Sequence, residues 1–221
     1  MSHPFPDPHG PVREMGFEVH PWQLKWNGLR VDMLSRTESL FALSNGHIGL
    51  RGTFEEGEPT DLPGSYLNGF YELRDLPYAE SGYGYPESGQ TVVNVTDGKI
   101  IRLLVEDEPM DLRYGTTEEH SRTLDFRTGT LRRETVWTSP TGRRVRIRSE
   151  RLVSFTKRAI AAIHYEVEPL SEDMTLVLQS DLLANEPIAS DFAAEVRARI
   201  TISPNVTPVL SVLCSVVSSS V

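Results

Sequence analysis

From residue 90 onward the chain alternates apolar and polar positions in short runs broken by turn signals, the period of half-buried β-strands. Residues 91–95 lead to Asp97-Gly98, a dipeptide that signals a hairpin. Residues 100–105 form the next run, followed by Glu106-Asp107 and a short run to Leu112. Residues 130–137 read as a strand, Thr141-Gly142 as a turn, and 143–155 as a long strand carrying Val145, Ile147, Leu152 and Val153 on or near its apolar side. Residues 158–168 and 174–183 complete the series. No long helical period interrupts it. The pattern predicts an all-β protein, a large antiparallel β-sandwich (supersandwich-like) with few or short helices.

The first half is less regular. Residues 1–16 carry four prolines (Pro4, Pro6, Pro8, Pro11) and two histidines without periodicity, and read as a flexible arm. His3 and His9 have no further metal ligand nearby and are read as solvated. In residues 17–29, Trp22, Leu24 and Trp26 fall on one strand face, as core rather than as a stacking platform. Asn45-Gly46 predicts a tight hairpin between strands at roughly 38–44 and 47–54, with Gly49 and Gly52 marking a bend or a close backbone approach. A short strand is expected around 66–73 and a long loop over 74–89. That loop is rich in tyrosine and glycine and suits contacts beyond the domain. Residues 191–200 read as a short helix and 206–217 as an apolar run broken by Pro208 and serines. The expected division is an arm at 1–16, a β-sandwich domain at 17–187 and an atypical, truncated-looking ending at 188–221.

Composition narrows the class. A net charge of −9 over 221 residues argues against a general nucleic-acid binder, which needs a surplus of Lys and Arg. The single cysteine, Cys214, cannot close an intrachain disulfide, so a reducing, cytoplasmic setting is expected. The N-terminus lacks a basic and an apolar signal region, and the 206–221 tail is too short and serine-rich to span a bilayer, so no membrane partner is expected. Asn94 and Asn205 match the glycosylation pattern by chance.

The candidate chemistry is sparse. Glu55 and Glu56 are adjacent, so on a strand they would point to opposite faces, a poor glycosidic acid/base pair. A salt bridge or interface contact with Arg51 is the simpler role. Arg132, Arg133, Arg143, Arg144, Arg146, Arg148 and Arg151 form a basic concentration, read as a solvated, cross-strand-paired or interdomain face rather than a phosphate site. His164 lies in an apolar strand and reads as a core or sheet-face residue. There is no P-loop, dinucleotide fingerprint or clustered Cys/His metal site. No catalytic residue, cofactor or metal ligand is assigned.

Several blocks follow one another in a set order: Asn45-Gly-x-x-Gly-x-Arg51-Gly-x-x-Glu55-Glu56, Gly64-Ser-Tyr-Leu-Asn-Gly-Phe-Tyr71, Gln90-Thr-Val-Val-Asn94, Arg122-Thr-Leu-Asp-Phe-Arg-Thr-Gly129, Leu131-Arg-Arg133 and Ser149-Glu-Arg-Leu-Val-Ser-Phe155. Together they resemble the N-terminal domain of glycoside hydrolase family 65. The resemblance covers roughly residues 20–187 and fades beyond Pro187. It implies maltose, trehalose or kojibiose phosphorylases and related α-glucoside hydrolases. The resemblance implies that the catalytic glutamate and phosphate site lie in an α/α-barrel, none of whose positions is expected among these residues. The chain alone is therefore expected to be inactive. Its implied role is to pack against the barrel, support a homodimer and shape one rim of the active site. The rim or interface candidates are Asn45, Arg51, Glu55, Glu56, Asn68 and Tyr71. An α-linked glucose disaccharide and, for the whole enzyme, inorganic phosphate as co-substrate are implied at family level. A stand-alone carbohydrate-binding module and an inactive remnant are the alternatives.

Overall fold

The computed structural model describes residues 15–76, 83–171, 174–183, 195–201 and 210–217. The N-terminal arm, with His3 and His9, lies outside them. The chain enters through β1 (Phe17–His20) and β2 (Gln23–Asn27), a hairpin that pairs Phe17 with Trp26. A 3-10 turn (Val31–Met33) and helix α1 (Leu34–Leu40) follow. Next come β3 (Leu43–Ser44), β4 (Ile48–Leu50), β5 (Ser65–Leu67), β6 (Tyr71–Asp75) and β7 (Ser88–Val92). The longer strands begin with β8 (Asp97–Val105), short β9 (Glu108–Pro109), β10 (Thr116–Asp125) and β11 (Thr130–Thr138). The last are β12 (Arg144–Val153), β13 (Ile160–Pro169), β14 (Thr175–Leu183), β15 (Glu195–Thr201) and β16 (Leu210–Val217).

A seven-stranded antiparallel sheet in the order β1-β2-β10-β11-β12-β13-β16 is the backbone of the fold. Its inner face is covered in two halves. The four-stranded sheet β15-β14-β8-β9 covers one half, where Ile101, Leu103, Leu176 and Leu178 meet Trp137, Ile147, Ile163 and Val167 in one apolar cluster. The segment around α1 and the β3-β4 hairpin covers the other. There Met33, Phe41, Leu43, Ile48 and Leu50 meet Phe17, Trp26, Leu124, Leu131 and Val153. Burial alternates residue by residue along β12 and β13, the signature of strands with one buried and one solvated face. The sandwich predicted from periodicity is the fold observed.

Five local expectations are corrected. Residues 34–40 are helix, not the first arm of a hairpin: Leu34, Thr37, Glu38 and Phe41 fall at helical spacing and are all buried, so a threonine and a glutamate stand at inward positions of the helix. The hairpin itself exists as β3-β4, but its turn centres on Gly46-His47, with Gly46 at φ 83° and Asn45 amide bonded to Ile48 carbonyl. Asp97-Gly98 does not turn the chain; Asp97 starts β8, buried against Lys99. Residues 195–201 form a strand paired with β14, where a helix was expected. Trp26 is core as expected, whereas Trp22 is half exposed under Arg127, 4.9 Å from its ring centroid.

Candidate functional site

The two apolar clusters meet along a seam, and residues 51–56 thread it without forming a strand. Irregular backbone buried between sheets needs partners for every amide and carbonyl. Here they come largely from arginines. Arg122 of β10 donates through Nη2 to the Gly52 carbonyl. Arg151 of β12 donates to the carbonyls of Arg51 and Thr53, both at 3.0 Å. The Gly52 amide donates to Glu38 carbonyl at 2.8 Å, and Ile101 amide of β8 to Glu55 carbonyl at 2.7 Å. Gly52 fits because a Cβ there would stand 2.6 Å from Phe41 Cβ, the close approach the sequence signalled.

Glu55 and Glu56 both point into this seam, contrary to the opposite-face expectation, because the segment is not a strand. Glu56 takes a two-pronged bond from Arg133, at 2.5 and 2.8 Å, and a 2.5 Å bond from Tyr165 Oη. Glu55 accepts from Arg151 at 2.7 Å and pairs with Arg133 at 3.1 Å. Burial alone would raise the Glu55 carboxyl, but Arg151 and Arg133 overcome it and hold it down at about 2. Burial pushes the Tyr165 hydroxyl well up, and the Glu56 charge adds to it. Arg151 and Arg133 were read from sequence as part of a solvated stripe. They alternate inward instead, while Arg144, Arg146 and Arg148 face outward and pair with Glu118, Glu134, Glu166 and Glu168 as expected. His164 stands on that outer face, exposed.

Arg51 does not reach Glu55 or Glu56. It donates to Glu38 Oε2 at 3.1 Å and to Ser39 Oγ at 3.0 Å, and its backbone amide donates to Gly64 carbonyl at 2.8 Å. Gly64 sits at φ 63° and a Cβ on it would overlap the Arg51 side chain, so glycine is required there. The Gly64 amide donates to Asn94 Oδ1 at 2.9 Å. Next to this link Lys99 is buried, donating to Pro63 carbonyl, Ser65 Oγ and Asp97 Oδ1 within 2.8 Å. Burial lowers the Lys99 ammonium to about 8 against the opposing pull of Asp97. Asn45 also staples: its Nδ2 donates to the carbonyls of Ser154 and Arg158, tying the hairpin turn to the β12-β13 connection.

Asn68 and Tyr71 are different. Both are exposed, with Tyr71 Oη donating to Asn68 Oδ1 at 2.8 Å. With Tyr66, His47 and Val92 they line a concavity of about 260 Å³. The β6-β7 ribbon beyond it is exposed along nearly its whole length, including Phe70, Leu73 and Val92. Thus the six candidates divide: Asn45, Arg51, Glu55 and Glu56 staple the fold, and Asn68 and Tyr71 face outward. Sequence reasoning missed Arg133, Arg151 and Tyr165 as partners of the glutamates and Arg122 as the donor to the Gly52 carbonyl; the inward register of β10 to β13 was the signal that could have found them. Among the described residues no group of His, Cys, Asp and Glu is placed to hold a metal ion, and no helix is long and apolar enough to cross a membrane.

Comparison with known proteins bears on this arrangement. The family description "Glycosyl hydrolase family 65, N-terminal domain" matches residues 24–214. The chain belongs to this family. The family 65 match runs past residue 187 and takes in β15 and most of β16. An uncharacterized glycosyl hydrolase of Mycobacterium tuberculosis H37Rv is 57% identical over 177 residues, covering 80% of this chain and 22% of that protein. The alpha,alpha-trehalose phosphorylase of Thermoanaerobacter brockii is 40% identical over 159 residues, 70% of this chain and 20% of that protein. A solved structure named as a kojibiose phosphorylase from the human microbiome superposes with a TM-score of 0.78 at 21% identity, over 92% of this chain and 33% of that one, a likeness of fold. The family 65 domain described here thus spans about a fifth of the length of these curated relatives.

Proposed function

We propose that this chain is a non-catalytic β-sandwich domain that supports the catalytic part of an α-glucoside phosphorylase or hydrolase. The observation that carries this reading is the fate of Glu55 and Glu56. A glycosidic acid must hold its proton near neutral pH and reach the bond it cleaves. These two carboxylates are sealed between sheets and clamped by arginines, and Glu55 is held ionised. They hold the scaffold together. The named relatives favour an α-linked glucose disaccharide as substrate and phosphate as co-substrate of the whole enzyme, in a cytoplasmic setting that suits a chain with a single cysteine.

The outward shelf of Asn68 and Tyr71, with the exposed β6-β7 ribbon, is the face we assign to the remainder of such an enzyme. An isolated two-stranded ribbon is marginal in water, and Phe70, Leu73 and Val92 offer apolar surface for a partner domain. The experiment is a phosphorolysis and hydrolysis assay of the purified chain with maltose, trehalose and kojibiose. No release of glucose 1-phosphate or glucose is expected. Robust turnover would overturn the scaffold role, and a clear binding heat with these sugars would favour a binding module instead.

A further inference from the structure

The dipeptide Asn-Gly occurs three times in the chain, at Asn27-Gly28, Asn45-Gly46 and Asn68-Gly69. In this dipeptide the asparagine side chain is readily attacked by the backbone nitrogen that follows it, because glycine has no Cβ to hold that nitrogen off. Attack needs a glycine amide free to lose its proton, an Nδ2 free to leave as ammonia, and rotation about the asparagine Cα–C bond. The fold withholds these at two of the three sites. At the first, the Gly28 amide donates to the His120 carbonyl at 2.7 Å, and Asn27 Nδ2 donates to Glu18. At the second, the Gly46 amide donates to Ser44 Oγ at 3.2 Å and Asn45 Nδ2 donates to the carbonyls of Ser154 and Arg158. Asn45 Oδ1 is fixed as well, accepting from the amides of His47 and Ile48, each at 2.9 Å.

Asn68-Gly69 is open. Both residues are exposed, and among the described residues neither the Gly69 amide nor Asn68 Nδ2 donates a hydrogen bond. The Asn68 amide is anchored on the His47 carbonyl at 2.8 Å, but beyond it the turn between β5 and β6 is closed by a 3.3 Å bond from the Phe70 amide to the Leu67 carbonyl. Gly69 stands in that turn at φ 100°, and the exposed β6-β7 ribbon follows at once, so rotation there needs only local opening. The Tyr71 hydroxyl donates to Asn68 Oδ1 at 2.8 Å. That oxygen takes up negative charge as Cγ becomes tetrahedral, so Tyr71 is placed to stabilise it. We propose that Asn68-Gly69 is a self-modification site, where asparagine passes through a succinimide to aspartate and isoaspartate. The Gly69 nitrogen gives its proton to a base in the solvent and bonds to Asn68 Cγ; Nδ2 takes up a proton and leaves as ammonia. Water then opens the ring, at Cγ to give aspartate or at the main-chain carbonyl to give isoaspartate. The net change is amide plus water to carboxylic acid plus ammonia. Either product puts a carboxylate on the shelf, and isoaspartate also lengthens the main chain there by a methylene. An effect on docking rests on the role proposed above for the shelf; the chemistry does not.

The test is peptide mapping by mass spectrometry of the purified chain aged in mildly alkaline buffer, both folded and in urea. In the folded chain the peptide holding Asn68 should take on the acid mass at least about tenfold faster than those holding Asn27 and Asn45, whose reaction waits on the opening of bonded structure. In urea the three should react at similar rates. Tyr71→Phe should slow the reaction of Asn68 several-fold in the folded chain and leave its rate in urea unchanged. An Asn68 that stays unconverted in the folded chain, or Asn27 or Asn45 keeping pace with it, overturns the site. An unmoved rate in Tyr71→Phe overturns the part given to Tyr71. Neither readout depends on what meets the shelf.

Discussion

Glu56 shows how much can rest on one side chain. It accepts two bonds from Arg133 and one from Tyr165, all three inside the sandwich. Glu56→Gln removes the charge but keeps the shape, and leaves Arg133 without its two-pronged partner. Breaking one side of a buried pair typically costs about 3–5 kcal/mol. Urea unfolding should show a loss of that size, whereas Asn68→Ala, at the exposed shelf, should stay within about 0.5 kcal/mol of the parent. Gly52→Ala places a methyl 2.6 Å from Phe41 Cβ, and overpacking of this kind costs about 1–3 kcal/mol by the same measurement. Glu55 sets an acid limit. Its carboxyl drops from an ordinary 4.5 to about 2 on folding, so the unfolded chain binds the extra proton between those values. The stability it contributes is present above pH 4.5 and is lost as pH falls toward 2. Glu55→Gln should therefore flatten the acid limb of a stability-against-pH curve; an unchanged limb would remove Glu55 from this role.

At the level of elements, the strands differ sharply in how they are supported. β11, β12 and β13 have neighbours on both edges, and β12 and β13 bury every second side chain. Among the described residues β6 and β7 pair only with each other, and they expose nearly every side chain. Hydrogen exchange should rank them accordingly: amides of β12 exchange only with global unfolding, and those of β6 and β7 exchange by local opening many-fold faster. Slow exchange in the ribbon of the isolated chain would mean that it is already covered. The same contrast explains what could be read in advance. β12 and β13 were legible because their inward residues are mostly apolar. β10 was passed over because His120 and Arg122 occupy inward positions, so its alternation is polar against polar. Helix α1 was hidden likewise by Thr37 and Glu38 on its buried side.

At the scale of the whole molecule, two apolar clusters are joined by one polar seam. Trp137 belongs to the first cluster and Trp26 to the second. Because Arg122 stacks on Phe41 from one cluster and Phe54 from the other, and residues 51–56 bond to both β8 and the large sheet, neither half should unfold alone. Fluorescence of Trp22→Phe/Trp26→Phe, which reports on Trp137, and of Trp22→Phe/Trp137→Phe, which reports on Trp26, should each share its midpoint with circular dichroism of the same variant. Separated midpoints would show that the seam does not couple the halves.

Strand period and turn residues, which act over a few neighbouring positions, were enough to specify an antiparallel β-sandwich, and motif spacing was enough to point to family 65. The partners of Glu55 and Glu56 could not be had that way. Arg133 and Arg151 lie far along the chain from them, and whether an arginine faces water or carboxylate depends on which side of the sheet its strand presents inward. That choice is made by pairing register and by the second layer that closes over the sheet, and so only the assembled sandwich turned a run of charged residues into its internal lock.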